Sequence, residues 1–259
     1  GNKVERKRQQ SLGSSYMVDK GNHRHFMEKE IHEQPEVISH TLAHYLDFAS
    51  GTSKPLDLPF DFAKIDRLAI SACGTAYLSG LIGKYWFERI ARLPVDIDIA
   101  SEFRYREMPL SAGDAALFIS QSGETADTLA SLRYCRKAGM TIGAVVNVRE
   151  STIARESDVT LPTLAGTEVG VASTKAFTCQ LSVLAALAVR AGVARGTVSA
   201  EEEKVLVRHL SEAPRFATQA LKLDTQIEKL ARELAHYKDV LYLGRDTNFP
   251  LAMEGALKL

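Results

Sequence analysis

The stretch Ser120-Gln121-Ser122-Gly123-Glu124-Thr125 sets three hydroxyls and an amide between an apolar run, Ala115–Ile119, and a helical pattern from Thr125 to Lys137. A helix beginning there would point unpaired N–H groups and a partial positive charge at whatever lies in front of it, which favours an anion. Serine and threonine hydroxyls can rotate to donate to phosphate oxygens, and Gly123 permits close approach of the backbone. No lysine or arginine lies in the turn. Phosphate would therefore be held by neutral donors and the helix end, which suits a sugar phosphate that must enter and leave. The same residues also fit a plain capped helix, with Ser120 or Ser122 as N-cap and Glu124 in the first turn. Glu124 would repel a phosphate unless its carboxylate pointed away.

Two further turns could share a pocket with the first. Cys73-Gly74-Thr75-Ala76-Tyr77 follows another apolar run and could line it through Gly74 and Thr75, or be an ordinary strand-to-helix turn. It carries no G-x-G-x-x-G fingerprint, and Gly80-Leu81-Ile82-Gly83-Lys84-Tyr85 lacks P-loop spacing. The loop Ala165–Lys175 leads into a long apolar helix, with Ser173 or Thr174 as N-cap. Lys175 in the first turn opposes the helix dipole, so it is expected beside an anionic ligand or a carboxylate such as Glu168, or in a surface salt bridge.

Other chemistry finds less support. His40 and His44 stand one helical turn apart, but no third ligand is evident, so a solvated helix face is the expectation and no metal site is assigned. Cys73, Cys135 and Cys179 form no C-x-x-C pair and read as reduced thiols, which points to a cytoplasmic protein. Cys73 ends a strand near a helix start and could be activated there, though a small buried apolar role suits it better. No G-x-S-x-G elbow is present.

These turns need elements to position them. Arg67–Cys73, Val95–Ala100, Ala115–Ile119, Thr141–Asn147 and Val159–Leu161 read as strands. Helical patterns at Ala76–Arg92, Thr125–Lys137 and Ser173–Arg190 separate or follow them. Apolar strands alternating with helices predict an α/β fold with a parallel sheet and ligands at the strands' carboxyl ends. Residues 24–47 read as two helices divided by Pro35, residues 1–22 as a linker or arm, and residues 201–238 as connecting helices. Asp239–Gly244 reads as a strand before a helix from Phe249, echoing residues 67–80. That echo predicts one domain over 23–200 and the start of a second copy over 239–259. The chain begins with Gly1 and ends within a helical pattern at Leu259, so it is expected to be a piece of something longer.

The chain of 259 residues balances 32 Lys+Arg against 32 Asp+Glu, so no net field draws it to nucleic acid or an anionic membrane. Its apolar stretches are read as interrupted short of a membrane span.

Taken together, the motifs resemble the sugar isomerase (SIS) fold, and more narrowly the isomerase half of the glutamine:fructose-6-phosphate aminotransferase family. The matching segments are Asp19–Gly21 with Arg24–Ile31, Cys73–Thr75, Ser101–Arg106, Ser120–Thr128, Gly170–Thr178 and Glu254–Leu259. The resemblance implies a three-layer αβα fold with a mainly parallel five-stranded, flavodoxin-like sheet, plus the start of a second SIS copy. It implies a fructose 6-phosphate substrate that is opened, aminated at C2 and isomerised to glucosamine 6-phosphate, with no cofactor. Ser120, Gln121, Ser122 and Thr125, with Thr75 and Ala76 beside them, would bind the phosphate. Val171 and Ser173 would contact the sugar, and Lys258 would be catalytic, near the developing enolamine oxygen.

Ala76 stands where the family commonly has a serine, which would remove one phosphate donor. The family's catalytic glutamate, a histidine from a partner subunit, the C-terminal tail lysine and the N-terminal glutaminase cysteine all fall outside the chain. The expectation is binding of a hexose 6-phosphate without turnover by these residues alone. A homodimer or larger homo-oligomer, and a glutaminase domain in the longer protein, are the implied partners. A phosphosugar-sensing SIS module is the alternative, although residues 1–50 show no basic recognition helix. A single-domain ketose–aldose isomerase is a third reading, against which the second copy argues.

Overall fold

The computed structural model describes residues 19–259; most of the arm expected over 1–22 lies outside the described residues. Helix α1 (Phe26–Tyr45) runs unbroken through Pro35. The expected division there does not occur. Proline removes the N–H that would bond the Ile31 carbonyl, but the neighbouring Gln34 side chain donates to that oxygen at 3.0 Å, so the acceptor is not left open. Strands β1 (Leu46–Asp47) and β2 (Thr52–Ser53) then form a small antiparallel pair.

The central sheet follows as β3 (Leu68–Ala72), helix α2 (Gly74–Ile90), β4 (Val95–Ile99), helix α3 (Ala100–Phe103), β5 (Ala115–Ser120), helix α4 (Ala126–Lys137), β6 (Thr141–Val146), helix α5 (Thr152–Arg155) and β7 (Val159–Pro162). The strands are parallel in the order β4-β3-β5-β6-β7, the flavodoxin-like arrangement expected. On β5, Ala115, Leu117 and Ile119 enter one core and Ala116 and Phe118 the other, as the two-residue strand period requires. The first core packs under α1, α2 and helix α6 (Lys175–Ala194), the second under α3, α4 and α5. The result is three layers, αβα.

Helix α6 corrects one expectation. It is long and apolar enough to cross a membrane by length and composition, with a mean hydropathy of 1.6, but 67% of that window is buried inside the protein. Its apolar side chains are accounted for by packing between α1, α2 and the sheet.

Helices α7 (Ala200–Ser211), α8 (Ala213–Leu221) and α9 (Asp224–Leu234) follow, with a reciprocal Ser199–Glu202 capping box starting α7. Residues 239–244 form no strand: a lone apolar segment without a neighbouring strand has nothing to complete a ladder, and Leu241 and Leu243 stand about nine-tenths exposed. Helix α10 (Asn248–Lys258) begins where expected and packs on α2. Arg89 Nη2 donates to both carboxylate oxygens of Asp246, at 2.7 and 2.8 Å, and fastens the turn before it.

Candidate functional site

From β3 the chain crosses to β4 on one side of the sheet and then to β5 on the other. The turns leaving β3 and β5 diverge at that reversal and open a crevice at the strands' carboxyl ends. Both expected motifs occupy it: Cys73–Ala76 leaves β3 into α2, and Ser120–Thr125 leaves β5 into α4. A cavity of about 180 Å³ is lined by Thr75, Ala76, Ser120, Gln121, Ser122, Thr125 and Ser173, with Cys73, Ile119 and Gln180 completing its wall. Larger hollows lie elsewhere, but the start of α2 and the start of α4 meet at this one.

The serine-rich turn is shaped by its own hydrogen bonds. Ser120 Oγ and Thr125 Oγ1 are 3.0 Å apart, and Ser120 Oγ also accepts from the Gly123 N–H at 3.0 Å. Gly123 has φ +64°, and a Cβ there would collide with Ser151 Oγ, so glycine is required twice over. The N-cap of α4 is Thr125, and its side chain makes no capping hydrogen bond. The capping arrangement through Ser120 or Ser122 is therefore not the one formed, and α4 begins with its first-turn N–H groups uncapped beside the cavity. Glu124 does point away: its carboxylate accepts from the Thr152 N–H at 2.7 Å, and that backbone hydrogen bond holds its pKa below the usual carboxylate value.

In the third turn Lys175 lies beside a carboxylate, as expected, but the partner is Glu33 of α1 at 2.7 Å rather than Glu168, and the lysine is 4% exposed rather than on the surface. Glu168 instead folds over the start of α6, accepting from the N–H groups of Thr174 (2.9 Å) and Ala176 (3.1 Å) and from Ser173 Oγ (3.2 Å). It answers the helix dipole that Lys175 opposes. Thr174 is the N-cap residue, without a capping side-chain bond of its own. Glu30, 2% exposed, fixes the loop from α1 by accepting from Val169 and Gly170 N–H groups. This arrangement brings Ser173 to the cavity but leaves Val171 away from it, its side chain fully open to solvent.

Lys258 reaches the site from the far end of the chain. Its Nζ donates to Thr75 Oγ1 at 2.7 Å and lies 2.9 Å from Glu254 Oε1. Cys73 is partly exposed on the cavity wall, not a buried apolar group, because α2 starts directly after it and leaves its side chain at the mouth. Cys135 and Cys179 are buried, and desolvation pushes each thiol up to about 12. Among the described residues no group of three or more His, Cys, Asp or Glu side chains is placed to hold a metal ion.

Sequence reasoning gives no role to Gln180 or Glu254. Gln180 accepts from Ser79 Oγ at 2.9 Å while facing the cavity; its signal is the lone amide side chain of α6. Glu254 stands one helical turn before Lys258, a spacing that joins the two side chains on one face.

The sequence pattern of SIS domains matches residues 61–190, half of the chain and the part that contains the cavity's strands. The chain belongs to the SIS domain family. Among curated relatives, it is 86% identical over all 259 residues to the glutamine--fructose-6-phosphate aminotransferase [isomerizing] of Mesorhizobium japonicum, and 70% identical over 260 aligned residues to that of Rhizobium meliloti. This SIS chain spans 43% of the length of each. Among solved structures it is similar to the C-terminal domain of glucosamine-fructose-6-phosphate aminotransferase from Francisella tularensis. The two are 40% identical with a TM-score of 0.87, covering 93% of this chain and 68% of that one.

Proposed function

We propose that this SIS chain is the sugar-phosphate-binding, isomerising part of an enzyme that makes glucosamine 6-phosphate from fructose 6-phosphate and ammonia released from glutamine. The single observation that carries the reading is the cavity where uncharged donors from two strand ends meet the uncapped start of α4. In it Ser120, Gln121, Ser122 and Thr125, with Thr75, bind the phosphate dianion. Hydroxyl and amide groups hold the ester without the tight ion pairing that would slow its release. Ala76 contributes wall but no donor. Ser173, oriented by Glu168, faces the sugar.

Lys258 supplies a side-chain cation hydrogen-bonded to that wall through Thr75. Its charge stabilises the negative oxygen that develops as the open-chain sugar is converted through an enolamine. The names of the relatives support the substrate and the isomerisation, and their greater length accommodates a glutaminase part. The exposed Leu241 and Leu243, followed by α10, support a second SIS copy starting near residue 239. Two or more copies of the longer protein would pair symmetrically.

Titration calorimetry of the 259-residue chain with fructose 6-phosphate tests the reading. Saturable binding that Ser120→Ala weakens about tenfold or more, the scale of a lost hydrogen bond to a charged group, is expected. Absence of binding, or binding indifferent to Ser120, would contradict it.

A further inference from the structure

At the end of the sheet opposite the phosphate cavity, the segment from Ser53 to Phe62 meets the last turns of α6 and the first turn of α7. Helix α6 starts beside the phosphate cavity and, with 20 residues, ends about 30 Å from it. A pocket of about 430 Å³ opens there, within the size range of small-ligand sites. It shares no lining residue with the phosphate cavity. Leu56, Leu58, Phe60 and Phe62 give it an apolar wall, where the two phenyl rings meet edge to face at 5.2 Å.

Two opposite charges line this pocket without meeting. Glu203 is 7% exposed and accepts from the Ser53 N–H at 2.7 Å. The Oγ of the same serine is buried without a hydrogen-bond partner. Arg190 donates to the carbonyls of Lys54 at 3.0 Å and Leu56 at 3.2 Å, which fixes its guanidinium on the loop. Among the described residues, Glu203 and Arg190 form an ion pair neither with each other nor with any other side chain. Asp61, the other carboxylate of the lining, is already engaged by the Ala63 N–H at 2.9 Å and stands 3.6 Å from Lys64 Nζ.

A buried carboxylate is stabilised when an opposite charge with N–H donors reaches it. An ammonium group supplies both, and it can also donate to the open Ser53 hydroxyl. A simple amine would leave Arg190 unpaired and be repelled by it. A simple carboxylic acid would meet the same objection at Glu203. A ligand with both charges on one carbon answers both residues. We propose that this pocket binds an α-amino acid with an apolar side chain: its ammonium on Glu203 and Ser53 Oγ, its carboxylate on Arg190, and its side chain on the wall from Leu56 to Phe62.

The test titrates the 259-residue chain with L-leucine, followed through its amide NMR signals. Saturable binding that moves the Ser53 and Glu203 N–H signals is expected, with a dissociation constant of about 1 mM or tighter. Isopentylamine and 4-methylpentanoate, which each keep one of the two charges, should bind about tenfold more weakly or worse, the scale of a lost hydrogen bond to a charged group. Glu203→Gln, which keeps an acceptor for the Ser53 N–H but removes the charge, should weaken leucine by a similar factor. Fructose 6-phosphate should not displace the leucine. No saturable binding, equal binding of the amine or the acid, or binding indifferent to Glu203→Gln overturns the proposal. Displacement by fructose 6-phosphate also overturns it, by placing leucine in the other cavity. The comparison of the three ligands needs only the parent chain, so it decides the matter should the variant not fold.

Discussion

Thr75 and Lys258 lie 183 positions apart in sequence, yet Oγ1 of one and Nζ of the other are 2.7 Å apart. The contact joins the start of α2 to the last turn of α10 and leaves the buried Glu254 carboxylate compensated. Lys258→Met removes that compensation. The Lys258 side chain is 29% exposed, so solvent screens the pair and the expected loss is about 1–2 kcal/mol, below that of a fully buried pair. Thermal melts should show the loss partly recovered in Lys258→Met combined with Glu254→Gln. A double variant no more stable than the single one would contradict this account of Glu254.

Gly123 is held at φ +64°, and both Oγ and Cβ of Ser151 crowd the place where an alanine methyl would sit. Gly123→Ala is expected to destabilise by about 2–4 kcal/mol, from left-handed strain and overpacking together. Ser151→Ala should restore little, because its own Cβ still obstructs. Denaturant unfolding measures both, and a near-neutral Gly123→Ala would show that the turn is not constrained in this way.

Glu124 links the serine-rich turn to the start of α5 through the Thr152 N–H. Its folded pKa is depressed, so its contribution to stability is fully present above the ordinary carboxylate value and fades as pH falls through the lower folded value. Carboxyl NMR should give a midpoint below 4.5, the unshifted value, and Glu124→Gln should remove this share of the acid-side stability loss. A midpoint at or above 4.5 would contradict the link.

The thiols should separate by reactivity. Cys135 and Cys179 are buried with pKa values pushed up to about 12, whereas Cys73 is partly exposed on the cavity wall. A disulfide reagent at pH 8 should modify Cys73 readily in the native chain and the other two only on unfolding. Fructose 6-phosphate should slow the reaction at Cys73. Native reaction at Cys179 in preference to Cys73 would contradict the placement of these groups.

Glu168 serves two N–H groups of α6 and Ser173 at once. Glu168→Ala is expected to destabilise by about 1–2 kcal/mol, as loss of an N-cap does, and to weaken hexose-phosphate binding by freeing Ser173. Melting temperature and calorimetry read the two effects separately.

The sheet and the two turns leaving β3 and β5 are legible in the sequence because they depend on local pattern: apolar runs of strand length, each followed by a glycine or serine turn and a helical repeat. Pro35 misleads because the repair comes from a neighbouring side chain, Gln34, whose reach the helical pattern does not encode. The apolar residues 239–244 carry strand pattern but lack a pairing strand among the described residues. Sequence proximity matches Lys175 to Glu168, whereas folding brings Glu33 of α1 beside it. Glu254 is visible as part of a motif, but its acceptance of the Thr75 hydroxyl, at 3.0 Å, depends on a contact across most of the chain.

Crystals of the chain grown with fructose 6-phosphate would test the central claim most directly. The expected result is phosphate density within hydrogen-bond distance of the Ser120 and Thr125 hydroxyls and in front of the first turn of α4. Density for the ligand at another cavity, with Ser120–Thr125 making no contact to it, would contradict the account.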